Sequence, residues 1–484
     1  MAAPSFYWHD YETFGTHPAM DRPAQFAGLR TDENLTIIEP PLVVYCRLPD
    51  DYLPNPEACL ITGITPQQVN ARGVCEAEFI RLIHQQMARA NTCSVGYNSL
   101  RFDDEITRNC LYRNFYDPYA REWQQGNSRW DLIDVVRATK ALRPEGIQWP
   151  VITQEGQSQV TFKLDRLTVE NGIEHSAAHD ALADVYATIA IAELVKTAQP
   201  KLYDYCRQHR FKTEAGKLLQ LNEPTPIVHI SGRYANSKNS LAIVVALCKH
   251  PTNSNGVIVY DLSIDPEPLL RLSVDDIQSR LFVASANLAE GVARIPLKTV
   301  HLNKCPVLAP INVIKPADAQ RLQLDLSMCY ENLKKLTKAV ELKEKIAEVF
   351  TQKFKQTNND PDLAIYSGGF LSDSDRQKLT HLRQLAPEQL ANKKMDFEDA
   401  RIPEMILRYR ARNYPETLTQ QETKDWQSFC LQRLTGQEGY SGLSFEQYFN
   451  QIHVLRFNPN NDIGLLDELT AYGHQRRHQL QAKK

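Results

Sequence analysis

No stretch of this sequence comes near the roughly 18 uninterrupted apolar residues that a membrane-spanning helix requires, so the chain is expected not to cross a bilayer. The opening MAAPSFYWHDYETFG lacks the basic start and apolar run of a secretory signal. The ten cysteines are scattered, without the close C-x-x-C pairs that mark a zinc site or a redox dithiol. They read as free, mostly buried thiols of a reduced, cytoplasmic protein. Positive charge is not in excess: the formal net charge is −3, so binding to nucleic acid would require a local basic groove. Internal repeats and long low-complexity tracts are also absent.

What is present is a globular composition, 42% hydrophobic and 23% charged, in a 484-residue chain too long for one ordinary core. The first 200 residues alternate strand-like and helix-like stretches, the pattern of an α/β layer structure. FYWHDYE reads as a buried strand, LTIIEPPLVVYCRL as a hairpin or a pair of strands interrupted by prolines, and CSVGYN as a short strand. Helical spacing runs through 101–116, 129–142 and 180–197, the last with Asp180 as N-cap. After Pro200 come short β-rich runs, IVHIS, SLAIVVALC, GVIVYDLS and RLFVAS, which predict a small antiparallel barrel or sheet. Beyond QTNNDPD the chain turns helical. The expected organisation is an α/β domain over 1–199, a β-rich domain over 200–355 and an all-helical domain over 356–484.

Three groups of residues carry chemistry. Asp10 and Glu12 are two apart on a predicted strand, so the pleat puts both carboxylates on one face, where they can grip one or two cations. Acids so close on a core strand would raise each other's pKa unless a divalent metal opposed their charge. Taken alone, the same pair also fits a solvated edge strand. GYNSLRFDDE then places Asp103 and Asp104 at the start of a helix, where acids are common for the dipole alone. Finally, His179 precedes the helix capped by Asp180, and Asp184 lies one turn in among Ala and Val, where an unpartnered carboxylate is costly. A zinc reading of His175 and His179, four apart, meets Ser176 where the zinc-protease motif needs Glu.

Taken in order, D-x-E, N-x-x-x-F-D and H-x4-D resemble the three motifs of the DEDD exonuclease superfamily in its histidine-containing branch. HDYETFGTHP, RPAQFA, LITGITPQ, YRNFYDPYA, NSRWD, ALRPEGI and NGIEHS extend the likeness to the bacterial exonuclease I family. The resemblance implies a ribonuclease-H-like exonuclease domain, an SH3-like β-barrel domain and an all-helical C-terminal domain. It implies hydrolysis of single-stranded DNA from 3′ to 5′ with release of 5′-mononucleotides, in repair and recombination. Two Mg2+ ions, replaceable by Mn2+, would be held by Asp10, Glu12, Asp184 and Asp103, with His179 as general base.

Between residues 101 and 143, basic and aromatic residues interleave as sequence-tolerant binding of single strands requires, although acids share the window and several of the aromatics must be core. By resemblance, Arg108, Tyr119, Trp123 and Arg137 touch DNA, and Lys163 lies near the terminal nucleotide at a position where the family's best-known member carries Arg. The family also implies binding of the acidic C-terminal tail of single-stranded DNA-binding protein (SSB). Arg143, Tyr205 and Lys315 are the candidates for that contact, on an otherwise monomeric enzyme. Two other readings stand beside this one: an RNA-trimming exonuclease of the same branch, against which the long chain after Pro200 counts, and a non-catalytic DNA clamp, against which the complete set of five side chains counts.

Overall fold

The computed structural model describes residues 3–154, 156–175, 180–284, 287–351, 360–391, 395–437 and 442–481. By internal contacts the chain forms two compact units, one of residues 1–128, 175–189 and 356–484, the other of residues 129–174 and 190–355.

The first unit is built on a mixed sheet of β1 (Ser5–Thr13), β2 (Pro23–Thr31), β3 (Leu42–Tyr45) and β4 (Thr92–Gly96), in the order β3-β2-β1-β4; the short strand β5 (Ser128–Asp131) begins at the last residue of this unit's first segment. The β1–β2 and β2–β3 pairs are antiparallel and β1–β4 is parallel. Only β3 emerges as a strand from LTIIEPPLVVYCRL, because the prolines before it supply no ladder donor; Ile37 contributes an isolated bridge to Thr31. The helix expected over 129–142 likewise starts later, at Leu132, with Asp131 ending β5 and capping that helix through the Ile133 amide. Tyr7 and Tyr11 of β1 and Phe26 of β2 pack against Phe79, Ile80 and Ile83 of the helix Glu76–Met87 and Ile106, Cys110 and Leu111 of the helix Asp103–Arg113. Each such side chain fully buried contributes about 1.5–3 kcal/mol, which anchors one face of β1.

The C-terminal helices of this unit, among them Ile402–Asn413, Gln420–Leu434, Phe445–Leu455 and Ile463–Gln481, start on helix-favouring signals. Thr419 with Glu422 and Ser444 with Gln447 form capping boxes. Their apolar stripes, with Trp426, Cys430, Tyr448 and Leu469, close over Phe14, Tyr52, Leu53 and Cys59. A buried ionic knot joins the same segments: Arg412 donates to Asp51 (2.8 Å) and Asp362 (2.7 Å), Arg408 to Asp362 (2.9 Å) and Arg433 to Asp51 (3.4 Å).

The second unit holds the helix Leu132–Leu142, a hairpin of β6 (Val151–Gln154) and β7 (Gln157–Val160), and an antiparallel sheet. The sheet contains β8 (Ile227–Ile230), β9 (Leu241–Lys249), β10 (Gly256–Asp261), β11 (Leu297–His301) and β12 (Val307–Pro310), in the order β11-β10-β9-β8-β12. Every residue of β9 but Lys249 is buried, which is why this strand reads as a continuous apolar run rather than an alternation. RLFVAS is not a strand: Arg280 and Leu281 end a helix, Val274–Leu281, that Ser273 caps, and Ile277 and Leu281, four apart, turn its apolar side inward. The cap and the helical spacing outweigh the β-propensity of Phe282 and Val283. All ten cysteines lie outside disulfides, and eight are buried. No helix among the described residues is long and apolar enough to cross a membrane.

Burial works to raise the carboxyl pKa of Asp51 and Glu76, but the arginines win: Arg412, Arg433 and Arg22 hold Asp51 well below the usual range, and Arg113 and Arg22 hold Glu76 at about 2. A carboxylate with a depressed folded pKa adds stability above its unfolded pKa and loses it as pH falls through the folded one. Urea denaturation is therefore expected to show stability falling steadily from about pH 4.5 toward pH 2. Arg412→Ala, which removes the guanidinium shared by two buried carboxylates and leaves each with fewer partners, is expected to cost about 3–5 kcal/mol near pH 7.

Candidate active site

Because Tyr7 and Tyr11 face the helical layer, the pleat of β1 turns Asp10 and Glu12 to the opposite side of the sheet. Glu12 lies across from Gln25 of β2. Gln25 is 2% exposed, and its amide is the joint on which the site is assembled. The Gln25 carbonyl oxygen accepts from the Ala181 amide (3.3 Å), and its NH2 donates to Asp180 (3.4 Å) and to the Tyr45 hydroxyl (3.0 Å). Asp180 in turn caps the helix Ala181–Ala198 by accepting from the amides of Leu182 and Ala183, both at 3.1 Å. With the helix start pinned beside Glu12, Asp184 one turn in comes to β1. Ligand atoms of Asp10, Glu12 and Asp184 all lie within 4.8 Å of one another.

Asp103 joins from the start of its helix, where its Oδ1 accepts from the Tyr11 amide at 3.2 Å, between the two strand acids in sequence. The adjacent Asp104 points elsewhere and is bound by the fully buried Arg121 at 2.5 Å. The D-D pair of the sequence is thus divided, one carboxylate toward the site and one into the core. His179 lies outside the described residues. His175 is described: its Nε2 lies 2.6 Å from Asp184 Oδ1.

The electrostatics follow from burial among like charges. Glu12 is pushed up to about 8, first by burial and then by Asp184, Asp103 and Asp180. Asp10 is raised well above the usual carboxylate range by burial, then by Asp103, Glu12 and Asp184. Two like unit charges about 4 Å apart repel by about 4 kcal/mol at an effective dielectric of about 20, so the set cannot ionise fully without a cation. Hard carboxylate oxygens converging on one point suit divalent ions such as Mg2+ or Mn2+, and the residues fit that role.

The remaining sequence candidates fall in several places. In the first unit, Trp123 is 66% exposed, whereas Arg108 is buried between Glu105 and Glu122 with its guanidinium 5.2 Å from the centre of the Tyr119 ring. Tyr366, which the sequence reading missed, shares this cluster: its hydroxyl meets Glu105 and Arg108, and its ring lies 6.5 Å from Tyr119. No sequence signal links residues so far apart in the chain. Gln25 was missed too, although a β1–β2 register would have placed it opposite Glu12. In the second unit, Arg137 pairs with Asp134 at 2.6 Å, and Lys163 is an exposed residue preceding the helix Leu164–Glu170. Arg143 and the Lys315 amide converge on Asp318 at 3.3 and 3.2 Å, while Tyr205 stacks on His209 and donates its hydroxyl to Leu308 O at 2.9 Å.

A carboxylate whose folded pKa is raised contributes stability below its unfolded pKa and loses it as pH rises through the folded value. In differential scanning fluorimetry the metal-free protein is therefore expected to lose Tm between about pH 4.5 and pH 8, with Mg2+ restoring it at the upper end. Glu12→Gln is expected to raise the metal-free Tm at pH 8 and to abolish the Mg2+ increment.

Comparison with known proteins finds similarity along nearly the whole chain. Residues 7–192 match the family model described as Exonuclease, 210–352 the Exonuclease I SH3-like domain and 359–476 the Exonuclease I C-terminal domain. Exodeoxyribonuclease I of Escherichia coli K12 is 47% identical over 439 residues, covering 90% of this chain and 92% of that protein. The zinc-bound E. coli ExoI–ssDNA complex superposes with a TM-score of 0.93 at 45% identity, covering 99% of this chain and 100% of that one. A crystal structure of SSB/Exonuclease I in complex with the inhibitor CFAM gives a TM-score of 0.89 at 44% identity, covering 98% of this chain and 100% of that one. With a ribonuclease-H-like exonuclease domain, an SH3-like domain and a helical C-terminal domain all present, the chain belongs to the exonuclease I family.

Proposed function

We infer that this protein is an exodeoxyribonuclease that shortens single-stranded DNA from its 3′ end, releasing 5′-mononucleotides, and that it serves DNA repair and recombination from the cytoplasm as a monomer. The observation that carries the reading is the convergence of Asp10, Glu12 and Asp184 within 4.8 Å, with Asp103 alongside, in a chain of this family. Two divalent ions, Mg2+ in our reading, would be held by Asp10, Glu12 and Asp184 with Asp103 completing the set. When bound, such ions supply charge neutralisation at the phosphate and activation of the attacking water.

What the chain's own residues do can be stated separately. The four acids orient and anchor; none is suited to proton transfer once its charge is engaged. His179 is assigned the general base, because an imidazole with an ordinary pKa of about 6.5 can accept the water proton at neutral pH. Trp123 and Tyr119 offer ring faces on which unpaired bases stack, and Arg108, Arg137 and Lys163 follow the backbone. Trp123, the most exposed of the aromatics proposed to stack, fits that role best. Arg108 already satisfies two carboxylates, so its part is to hold the Tyr119 ring as much as to meet phosphate. Arg143, Lys315 and Tyr205 are assigned to the acidic SSB tail, with Asp318 holding the Arg143 guanidinium in place. We place the domain boundaries at 199/200 and 355/356.

End-labelled single-stranded DNA, duplex DNA and RNA, each with Mg2+ or a chelator, test the reading. Only single-stranded DNA with Mg2+ is expected to be degraded efficiently; equal degradation of RNA would favour an RNA-trimming enzyme. His179→Ala is expected to keep fold and DNA affinity while losing about 10² to 10⁴ in turnover. In a peptide-binding assay, Arg143→Ala is expected to weaken capture of an SSB C-terminal peptide by about tenfold or more, with nuclease activity on free DNA unchanged.

A further inference from the structure

His175 has no part in the mechanism just described, yet it stands directly behind one of its carboxylates. Its Nε2 lies 2.6 Å from Asp184 Oδ1, and its side chain is 2% exposed against 18% for Asp184. An ionised carboxylate only accepts, so in the charged form that binds a metal Asp184 takes this hydrogen bond from the Nε2–H of His175. We propose that His175 is a positioning residue for the metal site: its Nε2–H fixes the plane of the Asp184 carboxylate, so that this group meets the ions in one orientation beside Asp10 and Glu12.

Asp10 and Glu12 are set by the pleat of β1, and Asp103 is held by the Tyr11 amide. Asp184 instead extends from the first turn of a helix, where rotation about its side-chain bonds would swing the carboxylate away from two like charges. Gln25 and Asp180 fix the helix end but not that rotation. A buried N–H donor on one oxygen opposes the swing. Hydrogen bonds to ligating carboxylates characteristically affect metal affinity by about 10- to 100-fold. The burial of His175 also separates it from the role given to His179, because a proton acceptor for the attacking water must face the substrate.

The inference rests on the divalent-metal reading of the site, and the test keeps the two apart. Isothermal titration calorimetry of Mn2+ into the DNA-free full-length protein is compared for wild type, His175→Ala and His175→Gln, whose side-chain amide places an N–H close to the position of the imidazole Nε2. In parallel, single-stranded DNA binding in EDTA and the metal-free Tm are recorded, and turnover is measured against metal concentration. The expected result is a Mn2+ Kd about 10- to 100-fold weaker for His175→Ala, partly recovered in His175→Gln, with DNA affinity in EDTA unchanged. Turnover at saturating metal should fall far less than turnover at limiting metal. An unchanged Kd in His175→Ala overturns the inference, as does an equal loss in both variants accompanied by an equal drop in metal-free Tm. Failure of the wild type to bind Mn2+ would instead overturn the metal reading itself.

Discussion

Like charges held together against their repulsion organise the exonuclease site. A strand pleat delivers two carboxylates and two helix starts deliver one each, and burial removes the water that would screen them. Ionising a closely spaced pair would cost about 4 kcal/mol, so the acids resist full ionisation while the surrounding structure holds them together. The aromatic layer under Tyr7 and Tyr11 fixes the face of β1, and Gln25 ties the neighbouring strand to the helix that carries Asp184. Part of the stability of the fold is thereby spent on a site that, in our reading, a cation rather than the protein completes.

The same unit shows what the chain does with a buried acid when no cation is meant to bind. Asp51, Asp362 and Glu76 each sit against arginine, and their pKa values are pulled down in spite of burial. Asp104, one residue from Asp103, receives Arg121. The pressures on Asp10 and Glu12 are burial and other acids, and both are raised. The contrast between acids given a guanidinium and acids given one another separates the parts of this unit that hold it together from the part that acts. The C-terminal helices take part in this through Arg408, Arg412 and Arg433, which close the core around Phe14 and Asp51, just beyond the end of β1.

Much of this could be read from the sequence, for reasons that differ by residue. Asp10 and Glu12 were legible because a period of two on an apolar strand leaves no other geometry, and Asp184 because an acid amid Ala and Val on a helix needs a purpose. The helix expected to be capped by Asp180 is capped by it. What escaped depends on pairings distant in sequence. Gln25 acquires its role only once β1 and β2 are in register, Tyr366 only once the chain returns to Arg108, and the buried arginine knot only when residue 51 meets residue 412. RLFVAS was misread because its composition favours a strand, while the cap and the i, i+4 pair that make it the end of a helix lie just upstream.

The central claim, that the site's carboxylates share more protons than their number would ordinarily allow until a metal displaces them, can be measured directly. Mg2+ is titrated calorimetrically into the DNA-free protein at pH 7 in two buffers of different ionisation enthalpy, and the difference in heat gives the protons released. With Glu12 at about 8 and Asp10 also raised above the usual carboxylate range, the account predicts release of on the order of one proton per protein as the ions bind. Heats that are the same in both buffers would mean that the acids were already ionised, and would contradict it.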